Sequence, residues 1–503
     1  MSTSFRLMHN GDTLPLADLP LLPFAAWRDG MIDRVVQGSR IVSLFACPLD
    51  EEGLRLIALL AQDTEGTLAI ASTPVPREYP ALTPACPEAH WFERELAEQW
   101  GLHPQGHPWL KPIRFQPPQP GPFTSPDASY PQIGDFAAFQ MDGESIHEVA
   151  VGPVHAGIIE PGHFRFQCRG EEVYHLEISL GYQHRGIEQA LKGGPSKRTL
   201  PYMETLAGDT TIGHASAYCQ LVEALAGCTV PMTAQAMRGI GLELERLANH
   251  IGDLGALAGD VGFLPTASYC GRIRGDFLNM SALLCGNRFG RGLLRPGGTW
   301  YGMDAARLAD LRSRLEQGLT DITVAVELLW RSTSVMARLE ETGRLSRETC
   351  NQIGLVGPAA RACGVERDIR YDYPFGIYRF FQIPLSSWHT GDVFARAYVR
   401  WLEIQRSVAF IKTLLDSLQD SEIYRAPAAL TVNRLAVSLV EGWRGEICHI
   451  AITDAQGRFA SYKITDPSFH NWMGLALALR NQQISDFPLC NKSFNLSYCG
   501  HDL

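Results

Sequence analysis

The clearest periodic signal lies in the second half of the chain, where apolar residues recur at helical spacing over long stretches. TTIGHASAYCQLVEALAG (210–227) and the segment 230–262 that follows it predict two helices. Segments 306–341 and 391–418 predict two further amphipathic helices, each with one apolar stripe and one charged side. Between these last two, GPAARACGVERDIRYDYPFGIY (357–378) loses the period and reads as loop-rich. Near the end, 445–467 predicts a β-hairpin turning at Asp454–Gly457. The first 115 residues follow another pattern. RIVSLFACPL (40–49) and GTLAIASTPV (66–75) predict strands, EEGLRLIALLAQD (51–63) between them predicts a helix, and Glu88 to Trp100 predicts a second helix with Trp91, Leu96 and Trp100 on its apolar side.

These patterns divide the chain into a small α/β domain at 1–115, a Pro-rich linker at 116–149 and a mainly helical domain with small β elements at 150–503. The fold class is therefore α+β. QPPQPGPFTSP (116–126) marks the boundary, because its prolines suit neither a helix nor a central strand. The 127–149 stretch is expected to continue the connection.

The formal net charge of −10 over 503 residues, with no basic run, excludes a nucleic-acid partner. No apolar run approaches the ~20 residues of a membrane span, and the first residues lack a basic segment followed by an apolar one. The expected location is cytoplasmic. Twelve cysteines are scattered with no C-x-x-C, and the nearest neighbours, Cys219/Cys228 and Cys490/Cys499, stand nine apart. That spacing suits buried small side chains, not a zinc or iron–sulfur site.

Candidate chemistry concentrates between Val151 and Glu188, where His155, Glu160, His163, Arg165, His184, Arg185 and Glu188 fall within forty residues. Such groups could tune a buried proton- or ligand-handling cleft. They could equally pair with arginines and hold loops together, and the residues by themselves leave both open.

Separated motifs in one order add more. REYPALTPACPEAHWFERELAEQWGLHPQGHPWL (77–110) resembles the 30-kDa-type subunit of respiratory complex I, through Tyr79, Pro80, Thr83, Pro84, Trp91, Glu93, Arg94, Glu95, Gly106, His107 and Pro108. GPVHAGIIEPGHFRF, HRGIE, LELERLANH, RPGG, the loop 364–375 and the closing SFNLSYC resemble the large subunit of membrane-bound nickel–iron hydrogenases related to complex I, a set shared with the complex I 49-kDa subunit. The likeness spans about 152–503. It implies a subunit of a hetero-oligomeric oxidoreductase complex, peripheral on the cytoplasmic side of the cell membrane. The partners it implies are an iron–sulfur subunit resembling the complex I 20-kDa type, which would carry the cluster, and antiporter-like and anchor membrane subunits.

The departures from that pattern bear on mechanism. The hydrogenases carry two C-x-x-C motifs, because soft thiolates hold nickel and bridge it to iron. Matching LAGDTTIGHASAY and SFNLSYCGHDL to them puts Ala207, Thr210, Ser497 and Gly500 at the four thiol positions. No nickel–iron centre is therefore expected on this chain. LPYMETLAGD (200–209) begins like the complex I quinone site, yet Gly208 stands where a tyrosine would meet the quinone. The cleft could still take a quinone or another small molecule. No G-x-G-x-x-G loop is present, so NADH would bind another subunit. The resemblance leaves Glu188, His163 and Asp209 as candidates for a proton or ligand network, with His155, His163, His214, Arg361, Asp368 and Arg370 as expected cleft lining.

Overall fold

The computed structural model describes residues 4–49, 53–125, 129–418 and 421–503. Its N-terminal sheet is an antiparallel meander of Arg40–Pro48, Leu54–Gln62 and Thr67–Pro74, with Arg6–Met8 added at the far edge. The helix expected at 51–63 is thus a strand, and its first two residues lie outside the described ones. The reason is two-sided burial. Ile57, Leu59 and Ala61 point to one face and Leu56, Ala58 and Leu60 to the other, and all six are buried. A strand covered on both faces shows no alternation, so its apolar run cannot be told from a buried helix. The meander packs against the helix Phe24–Val36, which has a weak apolar pattern and no counterpart in the sequence reading. Strands at 40–48 and 67–74 and the helix His90–Trp100 agree with expectation.

A three-stranded sheet, Ile146–Val151, His163–Arg169 and Glu172–Ser179, opens the second part of the chain. Its first strand begins inside the stretch read as connection. Residues 126–128 of that stretch lie outside the described ones. Helices Thr211–Ala226, Met232–Asp260, Leu264–Cys285, Ala305–Trp330 and Val393–Ser417 then pack into a bundle. The helix read across 306–341 breaks after Trp330 and resumes at Thr333–Leu339. The helix Leu264–Cys285 escaped the sequence reading because glycines and exposed apolar residues blur its stripe.

The expected hairpin is present as Gly445–Thr453 and Phe459–Thr465. A third strand, Arg434–Gly442, precedes it. Thr13–Pro15 from the start of the chain completes the sheet by pairing with Arg434–Ala436. Beyond that short pairing, the side chain of Asn10 takes over the role of a strand. Its Nδ2 donates to Leu439 O at 2.9 Å and Tyr373 O at 2.8 Å, while its Oδ1 accepts from Leu439 N at 2.8 Å and Gln220 Nε2 at 3.0 Å. One continuous apolar core runs through both parts of the chain.

Asn10→Ala would strand the backbone N–H and C=O of Leu439 in the interior. Unpaired buried polar groups cost about 1–3 kcal/mol each, so the thermal midpoint should fall by several degrees with the secondary structure retained. Circular dichroism melts of the two chains measure it.

Candidate functional site

The loop carrying Ala207 and Thr210 meets the tail carrying Ser497 and Gly500. Gly208 N donates to Ser497 Oγ at 3.3 Å, and the same oxygen caps the last helix, Tyr498–His501, by accepting from Gly500 N at 2.9 Å. Glu160 joins them from the loop between Ile146–Val151 and His163–Arg169, its Oε2 accepting from Tyr498 N at 3.3 Å. A cavity of about 250 Å³ lies alongside, bounded by Glu204, Ala207, Gly208, Asp209, Arg291 and Cys499.

The residue that binds this site together is Arg444, which the sequence reading missed. It sits in the tight turn between Arg434–Gly442 and Gly445–Thr453. Gly445 is needed there, since a Cβ would lie 2.8 Å from Gly357 Cα. The guanidinium donates to Gly208 O at 2.6 Å, Thr210 Oγ1 at 3.1 Å and Asn495 O at 2.6 Å, so it spans both loops. The available signal was Trp443-Arg444-Gly445 between two apolar runs, which marks a turn presenting a cation.

These contacts test the fit of a thiolate-held metal pair. Ala207 and Gly500 offer no donor atom. The Thr210 hydroxyl faces a guanidinium, whose positive charge opposes a metal cation at the same place. At Gly500 a Cβ would stand 2.7 Å from the Asp466 carboxyl carbon, so a cysteine there requires Asp466 to move. Cys499 Sγ lies 3.4 Å from Ser497 Oγ and is one thiol where four are needed. The residues do not fit such a centre. Among the described residues, no group of three or more His, Cys, Asp or Glu side chains is disposed to hold a metal ion.

Behind Gly500 runs a buried chain of hydrogen bonds. Asp466 Oδ2 meets His214 Nε2 at 3.0 Å, His214 Nδ1 meets His449 Nε2 at 3.0 Å, and His449 Nδ1 meets the Tyr462 hydroxyl at 2.9 Å. Burial alone would push Asp466 up, but its bond to His214 and the nearby charges of His214 and Arg444 hold it below the usual carboxylate range. Burial and the neighbouring His214 drive His449 far down, which keeps it neutral. His214 is thus fully buried behind the tail and is not among the residues that bound the cavity.

The remaining expected residues are distributed differently. Asp209 is at the cavity, in a left-handed conformation (φ 58°); its carbonyl accepts from Asn249 and Trp443, and its half-exposed carboxylate faces Arg274 at 3.4 Å. His155 and His163 bond to Gly162 O and Gly152 O, closing the 152–162 loop on itself. Glu188 accepts from Ile464 N at 2.9 Å and pairs with Lys463 at 3.1 Å, in a buried cluster with Glu95 and Arg114. Arg114 ties that cluster to the tail through His501 O.

Arg361, Asp368 and Arg370 do not line the cavity. They lie in a buried ion network beneath the Arg444 turn, where, among the described residues, Glu243, Asp368, Glu403 and Glu441 face Arg246, Arg361 and Arg370. His250, kept neutral by burial, donates its Nε2 proton to Glu403 at 2.7 Å. Four carboxylates against three guanidiniums leave one in excess. Burial and the charge of Asp368 push Glu441 up to about 7, whereas Arg361 and His250 hold Glu403 far below its usual value despite burial. Arg246 donates to the carbonyls of Glu441 and Gly442, so the network grips the strand that leads into the Arg444 turn.

Two family models match the chain: the 49 Kd subunit of respiratory-chain NADH dehydrogenase over 260–435 and its 30 Kd subunit over 42–125. An NADH-quinone oxidoreductase subunit from Dehalococcoides mccartyi (strain ATCC BAA-2266 / KCTC 15142 / 195) is 30% identical over 341 residues, covering 67% of this chain and 92% of the relative. The chain belongs to the 49-kDa subunit family, with a 30-kDa-type segment fused ahead of it. Formate hydrogenlyase subunit 5 of Escherichia coli (strain K12) is 29% identical over 84% of this chain and 76% of its own length. The carbon monoxide-induced hydrogenase of Rhodospirillum rubrum is 29% identical over 70% and 98%. This 49-kDa family member is thus similar both to quinone-oxidoreductase subunits and to hydrogenase subunits. Among its described residues no helix is long and apolar enough to cross a membrane.

Glu441 keeps its proton to about pH 7 in the folded chain, against about 4.3 when unfolded. The folded state therefore binds the extra proton between those values, and this group's contribution to stability falls as pH rises through the window. Against Glu441→Gln, the wild type should lose up to about 1.4 kcal/mol per pH unit between pH 5 and 7. Urea unfolding of both chains across that range measures the difference, which should be flat if Glu441 titrates normally.

Proposed function

We propose that this chain is a peripheral subunit of a membrane-associated, complex-I-like oxidoreductase assembly. Its metal-free cleft couples redox or conformational change to proton or ion translocation. The observation that carries this reading is Arg444 bridging Gly208, Thr210 and Asn495, at the place where the resemblance puts four thiols. A cleft closed by a cation and two capped hydroxyls keeps the family's frame without its metal chemistry. Iron–sulfur chemistry then belongs to a neighbouring subunit of the 20-kDa type, and the membrane step to antiporter-like and anchor subunits on the cytoplasmic face.

The coupling element is the Arg444 turn itself. Glu441 lies at the end of the strand that runs into the turn, three residues before Arg444, and titrates near neutrality, so a shift of the turn alters the charges around a group poised to gain or lose a proton. Asp209 at the cavity, Glu188 in its cluster and His163 in the folded-back loop are the proposed proton or ligand network around it. A quinone headgroup is the second candidate for the cavity, on the strength of its volume and of Asp209, Glu204 and Arg291 at its wall. The competing reading, a scaffold without chemistry, draws on the ion pairs that engage Arg361, Asp368 and Arg370 within the network.

Chain purified from nickel-supplied cells should carry far less than one nickel per molecule by mass spectrometry of metals. A stoichiometric value removes the metal-free reading. In the purified assembly reconstituted in vesicles, Glu188→Gln and His163→Ala should lower ion pumping about tenfold or more, a loss near 1.4 kcal/mol. Full pumping in both variants favours the scaffold.

A further inference from the structure

A roomier cavity lies far along the chain from the 207–210 loop. It holds about 600 Å³ and opens between the helix His90–Trp100 and the proline-rich stretch that follows it. That stretch is pinned in place. Gln119 N donates to Gln99 O at 2.7 Å, and Thr124 Oγ1 donates to Gln119 O at 2.7 Å. Gly101, at φ 66°, lets Phe123 O approach so closely that a Cβ would lie 2.6 Å from it. The walls, among them Pro118, Pro122, Phe123 and Tyr130, are mostly apolar.

The polar groups on those walls are unbalanced. Arg94 is 5% exposed and has no carboxylate within ion-pair distance among the described residues. Its Nε and Nη2 donate to the carbonyls of Lys111 (2.7 Å) and Pro112 (2.8 Å), and its face packs on Trp91 at 4.5 Å. Nη1 meets no acceptor among the described residues. Gln116 Nε2, buried beside the same cavity, also has none. Burial pulls Arg94 down to about 10, so it still carries its charge at neutral pH. The nearby acid, Glu98, is spent on the backbone N–H groups of Arg114 and Phe115, and Lys111 is paired with Glu177. Exposed Arg77 adds a further cation at the rim. A guanidinium with one N–H free of any acceptor among the described residues thus borders a space with apolar walls, and an orphaned amide lies buried beside it. Pockets of this size and lining hold small molecules with a few fixed polar contacts.

We propose that this cavity binds an organic carboxylate with an apolar body, its carboxylate accepting from Arg94 Nη1 and its tail lying on the prolines, Phe123 and Tyr130. The site is independent of the 207–210 and 497–500 loops.

Calorimetric titration of the purified full chain with decanoate, and separately with decanol, tests it. Decanoate should bind saturably at one site, with decanol at least tenfold weaker, the factor of a charge-assisted hydrogen bond. Arg94→Gln should weaken decanoate tenfold or more. Because Arg94 also holds the 111–112 backbone and that variant could misfold, Ala97→Leu gives a second readout: it fills the cavity wall, leaves Arg94 in place, and should weaken decanoate comparably. Three results each overturn the proposal: equal affinity for decanol, unchanged binding in a folded Ala97→Leu chain, or no saturable binding of decanoate up to about 1 mM.

Discussion

A single guanidinium ties together the two loops that the resemblance matches to the thiol motifs. Arg444 reaches from a hairpin turn to two loops that are nearly three hundred residues apart and have no strand or helix in common. Its bonds go mainly to backbone carbonyls, which fixes the course of the chain whatever the side chains around it. Positive charge at that spot also decides which guests the cleft can accept. A metal cation is disfavoured, and a neutral or anionic group is not. The ion network below it serves the same end, since Arg246 and Arg361 hold the strand from which the turn springs.

That network is an unusual way to fill an interior. Charges this deep cost several kcal/mol each to desolvate, and only close pairing recovers the loss. Here pairing is nearly complete but not neutral, and the imbalance falls on Glu441. The result is one carboxyl group with a proton affinity in the physiological range, placed where backbone movement at the cleft would be felt. A chain of His214, His449 and Tyr462 on the other side of the cleft has the opposite character. It is hydrogen-bonded throughout, with His449 held neutral by burial.

The sequence was most readable where an apolar pattern runs too long for a strand. Helices at 211–226 and 232–260 are buried on nearly every side and are told from strands by their length, whereas 393–417 keeps a partly exposed face beside its buried stripe. Leu54–Gln62 lost its alternation because both of its faces are covered, and Phe24–Val36 buries chiefly Trp27 and Met31, too few to set a period. The four positions that the resemblance matches to thiols could be found by motif alone, and the two loops that carry them do meet, through Gly208 and Ser497. Arg444 and Asp466 could not, because their roles arise from tertiary contacts across more than two hundred residues. Arg361, Asp368 and Arg370 were visible as a charged motif, but nothing in the motif says that they face Glu403 and Glu441 rather than a cavity.

The strand Thr13–Pro15 pairs with residues more than four hundred positions later. A ribosome making this chain releases that edge early and must nearly finish its work before the mate emerges. Contacts so distant in sequence are slow to form and leave a ladder of unpaired groups open in the meantime. During synthesis the first hundred residues therefore wait with that edge unpaired, and the interior closes only when the last strands arrive to share it.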